Sequence, residues 1–242
     1  NSTLTVLEDG SKTFAAADFG FADTLDGNSL SAVIITTLPV AGTLTLSGVA
    51  VTLNQSIAVA NLGNLVFTPA TNANGATYAS IGFKVQDNGG TANGGVDTSV
   101  TANTLTMSVT AVNDAPITTV PVAQTTTHDT AKVISGLSIA DVDAGASSVT
   151  VTLNVGSGTL SAAATTGVTI VGNGTANVTL TGTITAINSL LAKATGVTYT
   201  PTTGYSGVDT LTMTTNDNGN TGTGGALTDV GTVRSEERRV GK

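Results

Sequence analysis

Apolar and polar residues alternate along many short stretches of the chain. Within residues 103–112, one side of an extended strand is apolar and comprises Leu105, Met107, Val109 and Ala111. Threonine and serine occupy the other side. Residues 149–155 and 177–184 show the same period of two, and turns rich in glycine and asparagine separate the stretches. This pattern predicts antiparallel sheets that bury one face and expose the other.

The pattern occurs twice. Residues 21–46 are echoed by residues 139–162, and residues 65–95 are echoed by residues 197–225. The offset is 118 residues at Ala22 and Ala140 and 130 residues at Asp87 and Asp217, so the second copy contains an insertion, which we place around residues 183–196. Each copy has about the length of one β-sandwich domain, which is ~100 residues.

The inserted segment follows a different period. Its apolar residues are spaced for one face of a helix, namely Ile187, Leu190, Leu191 and Ala194. The sequence therefore predicts an all-β protein of two tandem immunoglobulin-like antiparallel β-sandwiches, with one short helix in the second. We place the domains at residues 1–112 and 122–233 and a linker at residues 113–121, where Pro116 and Pro121 restrict the backbone.

The last nine residues, 234–242, break this pattern. They contain four of the eight basic residues, and the alternation stops. The segment looks non-native, because it resembles the translated read-through of a sequencing adapter; a native basic tail is the alternative. On either interpretation we expect the second domain to be truncated at its C-terminal end and its final strand to be short or poorly supported.

Composition supports the all-β prediction. Threonine makes up about a fifth of the chain, and β-branched residues favour pleated surfaces. Aromatic residues are only 3% of the chain and tryptophan is absent, so Val, Leu, Ile and Ala must build the core. Without cysteine, the chain has no disulfide and no thiolate metal site. No apolar run is long enough to insert into a membrane, and the chain opens directly on NSTLTVLEDG, as if cut from a longer polypeptide.

The charge balance excludes some partners and favours others. Residues 1–233 contain 14 acidic and 4 basic residues, which makes nucleic acid a poor partner. Catalytic motifs are also missing: the single histidine, His128, lies in a predicted loop, and no phosphate-binding loop or nucleophile motif occurs. We therefore predict that the protein is not an enzyme.

The acidic residues cluster at the predicted ends of the domains. Calcium takes six to eight oxygen ligands, so it needs carboxylates and amides from several segments. We predict that Asn113 and Asp114 in the linker converge with Asp141 and Asp143 at the domain junction to bind calcium. The alternative is that Asp and Asn are only turn residues. For Asp23 and Asp26 both interpretations stay open.

These motifs resemble bacterial cadherin-like tandem repeats of large secreted adhesins. The resemblance rests on VNDAP at the end of the first copy, EDG near its start, a D-x-D motif after the first strand of the second copy, GTL, and F/Y-T-P. It covers nearly all of residues 1–233 and implies a calcium role for Glu8, Asn113, Asp114, Asp141 and Asp143. The second copy departs from the family pattern, because His128 stands where a glutamate is expected.

The resemblance implies a spacer in an extracellular or cell-surface protein, stiffened by Ca²⁺ and engaged in cell adhesion. Its partners would be neighbouring repeats of the same chain and a cell-surface or matrix ligand. A ligand-binding β-sandwich, for example one that binds carbohydrate, is the alternative function. Such sites usually expose Trp or Tyr for stacking, whereas this chain has no Trp and three Tyr.

Overall fold

The computed structural model describes residues 1–24, 26–127 and 129–238. The chain divides into two compact units, Asn1–Val112 and Asn113–Lys242. Each unit is an antiparallel β-sandwich with its own apolar core, so the predicted fold class is confirmed.

The first unit consists of a five-stranded and a four-stranded sheet. Its strands are β1 (Ser2–Leu7), β2 (Lys12–Thr13), β3 (Leu30–Thr37), β4 (Thr43–Leu46), β5 (Val49–Ala50), β6 (Ser56–Ala58), β7 (Leu65–Thr68), β8 (Gly75–Asp87) and β9 (Asn103–Thr110). Short 3-10 helices occupy Ala16–Phe19, Val59–Asn64 and Ala92–Gly94. The strand orders are β1-β9-β8-β3-β6 and β2-β7-β4-β5, and β1 runs parallel to β9.

The second unit repeats this plan with additional elements. Its strands are β10 (Ile117–Thr119), β11 (Gln124–Thr127), β12 (Lys132–Val133), β13 (Ser138–Ala140), β14 (Ser148–Asn154), β15 (Gly158–Ala162), β16 (Val168–Val171), β17 (Asn177–Thr183), β18 (Val197–Pro201), β19 (Val208–Asn216) and β20 (Thr228–Arg238). They form a six-stranded sheet in the order β11-β20-β19-β14-β17-β16, a three-stranded sheet β12-β18-β15, and the pair β10-β13.

The period of two in the sequence corresponds to burial. In β9, Leu105, Met107 and Val109 are buried, and the intervening threonine and serine side chains are partly exposed. In β14, Val149, Val151 and Leu153 are completely buried. The buried rows of the sheets in each unit pack into one apolar cluster, as a sandwich requires.

The predicted helix is present as α1 (Ile184–Leu191), and Ile187, Leu190 and Leu191 are buried in the core of the second unit. Thr183 caps its N-terminus by accepting a hydrogen bond from the Ala186 N–H at 3.2 Å. Ala194 lies beyond the last turn and is exposed, so three of the four residues predicted for the helical face belong to it and Ala194 does not. The inserted residues are also spread more widely than predicted, because β16 precedes β17 and is paired with it.

The prediction of a short final strand is wrong for the described residues. β20 continues to Arg238 and lies between β19 and β11 in the six-stranded sheet. The alternation does not stop at Arg234: Gly231, Val233 and Ser235 are buried, and Thr232 and Arg234 are exposed. Glycine and serine at inward positions conceal the alternation from a pattern based on hydrophobic residues.

Most of the predicted linker belongs to the second unit. Within residues 113–121, β10 pairs antiparallel with β13. The Thr118 N–H donates to Asp229 Oδ2 at 2.6 Å, and the Thr118 hydroxyl is 2.7 Å from the Thr215 hydroxyl. Residues 117–119 are therefore a strand of the second sandwich and not a free connection.

Candidate metal centre

The site residues predicted in the second unit are joined by hydrogen bonds at the start of that unit. Asp143 Oδ2 accepts the Asp114 N–H at 2.5 Å. Asp141 Oδ1 accepts the N–H groups of Asp143 and Ala144 at 2.8 and 2.9 Å. The turn after β13 thus positions Asp143, and Asp143 holds the backbone of Asp114.

Asp217 is a further acidic residue of this group, and the sequence analysis does not select it. It follows β19 and is fully buried. Its Oδ2 accepts a hydrogen bond from Asn113 Nδ2 at 2.5 Å, and Asn113 Nδ2 also donates to the Gly225 carbonyl at 3.1 Å. One signal could have identified it: Asp217 occupies the repeat position of Asp87, at the end of the corresponding strand.

Hydrogen bonds keep Asp217 acidic in spite of its burial. Burial alone would raise the pKa of this carboxyl group. The Gly219 N–H, the Asn113 side-chain amide and the Leu227 N–H outweigh that effect, so the pKa of Asp217 is lowered from its ordinary value of 3.8. The side chain is therefore a carboxylate at neutral pH, which is the form that binds cations.

The buried oxygen atoms in this group that accept no hydrogen bond from the described residues include Asn113 Oδ1 and Asp141 Oδ2. A buried acceptor without a partner costs about 1–3 kcal/mol, so such atoms are rare without a ligand. On Asp141, one oxygen holds the turn and the other remains available, so the turn role and a ligand role are compatible in one side chain.

The donor set fits calcium in its chemistry. Asp114, Asp141, Asp143 and Asp217 supply carboxylates and Asn113 supplies an amide oxygen, and calcium binds oxygen ligands of both kinds. Within residues 1–24, 26–127 and 129–238, however, no three His, Cys, Asp or Glu side chains are already grouped around a metal position. Binding would therefore exchange some of the hydrogen bonds described above for contacts with the cation.

Glu8, the fifth predicted ligand, belongs to the first unit. Its side chain is 3% exposed. Oε1 accepts the Val112 N–H at 2.5 Å, and Oε2 accepts Asn74 Nδ2 at 2.9 Å. Glu8 thus fixes the last residue of the first unit, directly before Asn113 in the chain.

The acidic pair Asp23 and Asp26 in the first unit shows the turn role. Asp23 Oδ1 accepts the Asp26 N–H at 3.1 Å, and Asp23 Oδ2 accepts the Asn28 N–H at 3.3 Å and Asn28 Nδ2 at 3.1 Å. Both oxygens therefore hold the loop that leads to β3. Asp26 is exposed.

Asp9 of the EDG motif and its counterpart Asp129 in the second unit each close a loop. Asp9 Oδ1 accepts the Asn72 N–H at 3.0 Å, and Asp129 Oδ1 accepts the Gly204 N–H at 2.8 Å. Both residues have a positive φ, 58° and 55°, which Asp tolerates better than most residues. His128, which precedes Asp129, lies outside the described residues.

Comparisons with solved structures find similarity to cadherin repeats. Mouse cadherin-23 EC22-24 is 15% identical with a TM-score of 0.47, over 98% of this chain and 63% of that one. Human protocadherin-24 EC1-2 is 14% identical with a TM-score of 0.43, over 99% of this chain and 95% of that one. An endo-fucoidan hydrolase of glycoside hydrolase family 107 is 12% identical with a TM-score of 0.25, over 98% of this chain and 32% of that one.

No protein-family model and no curated protein matches the chain. The chain spans less than two thirds of the cadherin-23 fragment, and these TM-scores are below 0.5. The residues of this chain therefore carry the evidence for its function. In the described part of the chain, no helix is long and apolar enough to cross a membrane.

Proposed function

We propose that this chain is a repeat segment of an extracellular bacterial surface protein and serves as a calcium-stiffened spacer in cell adhesion. The observation that carries the proposal is that two buried oxygens, Asn113 Oδ1 and Asp141 Oδ2, have no hydrogen-bond partner among the described residues, and that Asn113 also contacts the buried carboxylate of Asp217. A divalent cation would give the two oxygens a partner and would be attracted by the negative charge of Asp217.

The position of these residues in the chain suggests why a cation would matter mechanically. Glu8 holds the N–H of Val112 within the first unit. The next residue, Asn113, is held within the second unit through its N–H, which donates to the Thr223 carbonyl at 3.0 Å, and through its side chain. A cation bound by Asn113 and Asp114 would fix the backbone at the point where the chain passes from one unit to the other.

Electrostatics give calcium a further effect at this point. Asp114, Asp141, Asp143 and Asp217 each bring a negative charge, and like charges repel one another when no cation is bound. Extracellular modules typically bind calcium with a dissociation constant of about 10⁻⁴–10⁻³ M. At tenfold excess over that value, the bound form is favoured by roughly 1.4 kcal/mol, which is enough to restrict motion but not to fold a domain.

The carbohydrate-binding alternative requires exposed aromatic rings. Tyr199 is 2% exposed and belongs to the core, and the Tyr78 ring packs against Phe67 at a centroid distance of 6.4 Å. The third tyrosine, Tyr205, is half-buried, and its hydroxyl donates to the Val208 carbonyl at 2.8 Å. Tyr78 is half-buried as well, so none of these three tyrosines presents a fully exposed ring on which a sugar could stack, and this favours the spacer function.

Calcium titration by isothermal calorimetry tests the site, with Asp217→Asn as the test variant. We expect the variant to bind calcium at least tenfold more weakly than the unmodified chain. Asp18→Asn is the control, because it removes the same charge from a residue whose partner is Lys12, at 3.0 Å. Equal affinity in both variants, or no calcium binding by the unmodified chain, would contradict the proposal.

Small-angle scattering tests the mechanical role. We expect chelation to leave both sandwiches folded, as measured by circular dichroism, and to increase the motion of one unit relative to the other. The scattering profile of the unmodified chain should then differ between calcium and chelator, and that of Asp217→Asn should not. Identical profiles for the unmodified chain in both conditions would contradict a stiffening role.

A further inference from the structure

A long stretch of the first unit carries no charge. Residues 27–83 contain no Asp, Glu, Lys, Arg or His, although the whole chain has 16 acidic and 8 basic residues. This stretch includes β4, β5, β6 and β7, so these four strands carry no charged side chain. Typical soluble domains contain about 25% charged residues, which makes a charge-free stretch of this length unusual.

Large apolar side chains are exposed on the same edge. Val40 is 95% exposed, Val49 is 71% exposed and Leu53 is 57% exposed. The same segment contains an open cavity of about 350 Å³ whose apolar lining includes Leu38 and Val51. We call residues 38–59 the uncharged edge. Several large exposed apolar side chains in one short segment indicate an interaction site more often than an accident of composition.

The backbone at this edge is also available. β5 is the last strand of the four-stranded sheet and β6 is the last strand of the five-stranded sheet. Neither contains the Lys or Pro residues that commonly protect a sheet edge. Because β5 has two residues and β6 has three, added pairing would give only a few hydrogen bonds. Side-chain contacts would have to supply most of the binding.

The second unit closes the corresponding edge differently. There β16 is added to the six-stranded sheet beside β17, and helix α1 packs against the core. In the first unit the segment before β6 instead forms β5, which pairs with β4 in the opposite sheet. The open arrangement is therefore a property of the first unit.

We propose that the uncharged edge is a self-association surface that binds the same edge of a second copy of this chain. In a two-fold symmetric contact, each patch meets its own copy, so any carboxylate near the axis would face a carboxylate. For a chain with a net charge of −8, a contact without charged residues avoids this repulsion. The uncharged edge meets that condition and also offers apolar area to bury.

This inference goes beyond the spacer function and does not depend on it. None of the candidate calcium ligands lies in residues 38–59, so the association should persist in chelator. A failure of calcium binding and a failure of self-association are therefore separate results. In a protein with many repeats, weak lateral contacts of this kind would add up between neighbouring chains.

Sedimentation equilibrium of the full chain in chelator tests the proposal, with Val49→Lys as the test variant. Two-fold symmetry brings in two lysines for each substitution, so we expect the association constant to fall at least about tenfold. Val171→Lys is the matched control, because Val171 is 62% exposed on the edge strand β16 of the second unit. The high exposure of both valines should leave folding unchanged, which circular dichroism checks.

A mixture of Val49→Lys and Val49→Glu chains adds a direct test of the symmetry. Each variant alone should be weakened, and the mixture should associate again because opposite charges then face each other. The proposal is overturned if the unmodified chain stays monomeric at all concentrations, in which case the edge serves a different partner. It is also overturned if Val49→Lys and Val171→Lys have equal effects, or if the mixture does not recover.

Discussion

The two units place the same motif on corresponding strands and stabilise it in different ways. In the first unit the GTL motif begins β4 and the F-T-P motif ends β7, and Leu44 lies opposite Phe67. In the second unit Leu160 on β15 lies opposite Tyr199 on β18. Both aromatic rings are buried, so the repeat places one ring in the same position of each core.

The surroundings of the two rings differ. Phe67 is held by apolar contacts in the core of the first unit. The Tyr199 hydroxyl donates to Asp209 Oδ2 and to the Ser157 carbonyl, both at 3.0 Å. Asp209 also accepts the N–H groups of Gly156 and Ser157 at 2.9 Å. The same repeat pattern thus occurs with an apolar core in the first unit and with a buried carboxylate, Asp209, in the second. Because several donors depend on this carboxylate, we expect the second unit to be more sensitive to substitution there.

The largest expected effect comes from removing that carboxylate. Asp209→Ala leaves the Gly156, Ser157 and Tyr199 donors without their acceptor, so we expect the second unit to lose about 4 kcal/mol of unfolding free energy. With the offset of 130 residues, the counterpart of Asp209 in the first unit is the buried Ala79, and Thr77 nearby is exposed. Thr77→Ala should cost less than about 0.5 kcal/mol.

Urea unfolding of the full chain measures both substitutions, with NMR signals that report each unit separately. The Asp209→Ala loss should appear only in the signals of the second unit. A loss below about 1 kcal/mol would show that the buried carboxylate does not control the difference between the units.

The glycine of the GTL motif tests the feature that the units share. A Cβ at Gly158 would lie 2.5 Å from the Thr200 carbonyl oxygen and 2.7 Å from the Tyr199 ring. A Cβ at Gly42 would lie 2.7 Å from the Thr68 carbonyl oxygen, and Gly42 also has a φ of +74°. We expect Gly158→Ala to lower the free energy of unfolding by about 2 kcal/mol and Gly42→Ala to lower it by about 3 kcal/mol.

Gly48→Ala separates the two causes, because Gly48 has a φ of +79° and nothing within 4 Å of its Cβ position. It should cost about 1 kcal/mol from backbone strain alone. Thermal unfolding of the three variants provides the measurement. If Gly42→Ala and Gly48→Ala lower the free energy of unfolding by the same amount, the close contact between the motif glycine and the ring is not the reason for glycine at this position.

The features that follow from local patterns are the ones the sequence predicts. Strands with alternating Thr and Leu or Val, the helical spacing of Ile187 and Leu190, and the repeated GTL motif each have a local signature. Ser235 lacks one, since only the pairing of β20 with β19 and β11 shows that a small polar residue points inward there. Long-range pairing decides such positions.

The residues of the candidate site also differ in whether a local sequence pattern identifies them. Asn113, Asp114, Asp141 and Asp143 can be selected from sequence because each lies in a motif with several polar residues. Asp217 is the only carboxylate in the polar segment N-D-N-G-N at residues 216–220, and its importance comes from Asn113 Nδ2, which is 104 residues away in sequence. Asp87, its counterpart in the first unit, accepts only the Gly89 N–H at 2.7 Å among the hydrogen bonds identified for the described residues. Sequence similarity alone gives the two residues equal weight.

The smallest expected effect is a pH dependence of stability that distinguishes Asp217 from its counterpart Asp87. The pKa of Asp217 is lowered by folding, so between that value and 3.8 the unfolded chain binds more protons than the folded chain. The stability contributed by Asp217 is therefore fully present above pH 3.8 and is lost as the pH falls through the folded pKa. In chelator, the stability difference between the unmodified chain and Asp217→Asn should be constant near neutral pH and should narrow below pH 3.8.

Asp87→Asn is the matched control in the first unit and should change stability less at neutral pH, because fewer hydrogen bonds depend on it. Urea unfolding from pH 7 to pH 2.5 measures this, and a difference for Asp217→Asn that stays constant over the whole range would contradict the assignment of Asp217 as the acidic centre of the site.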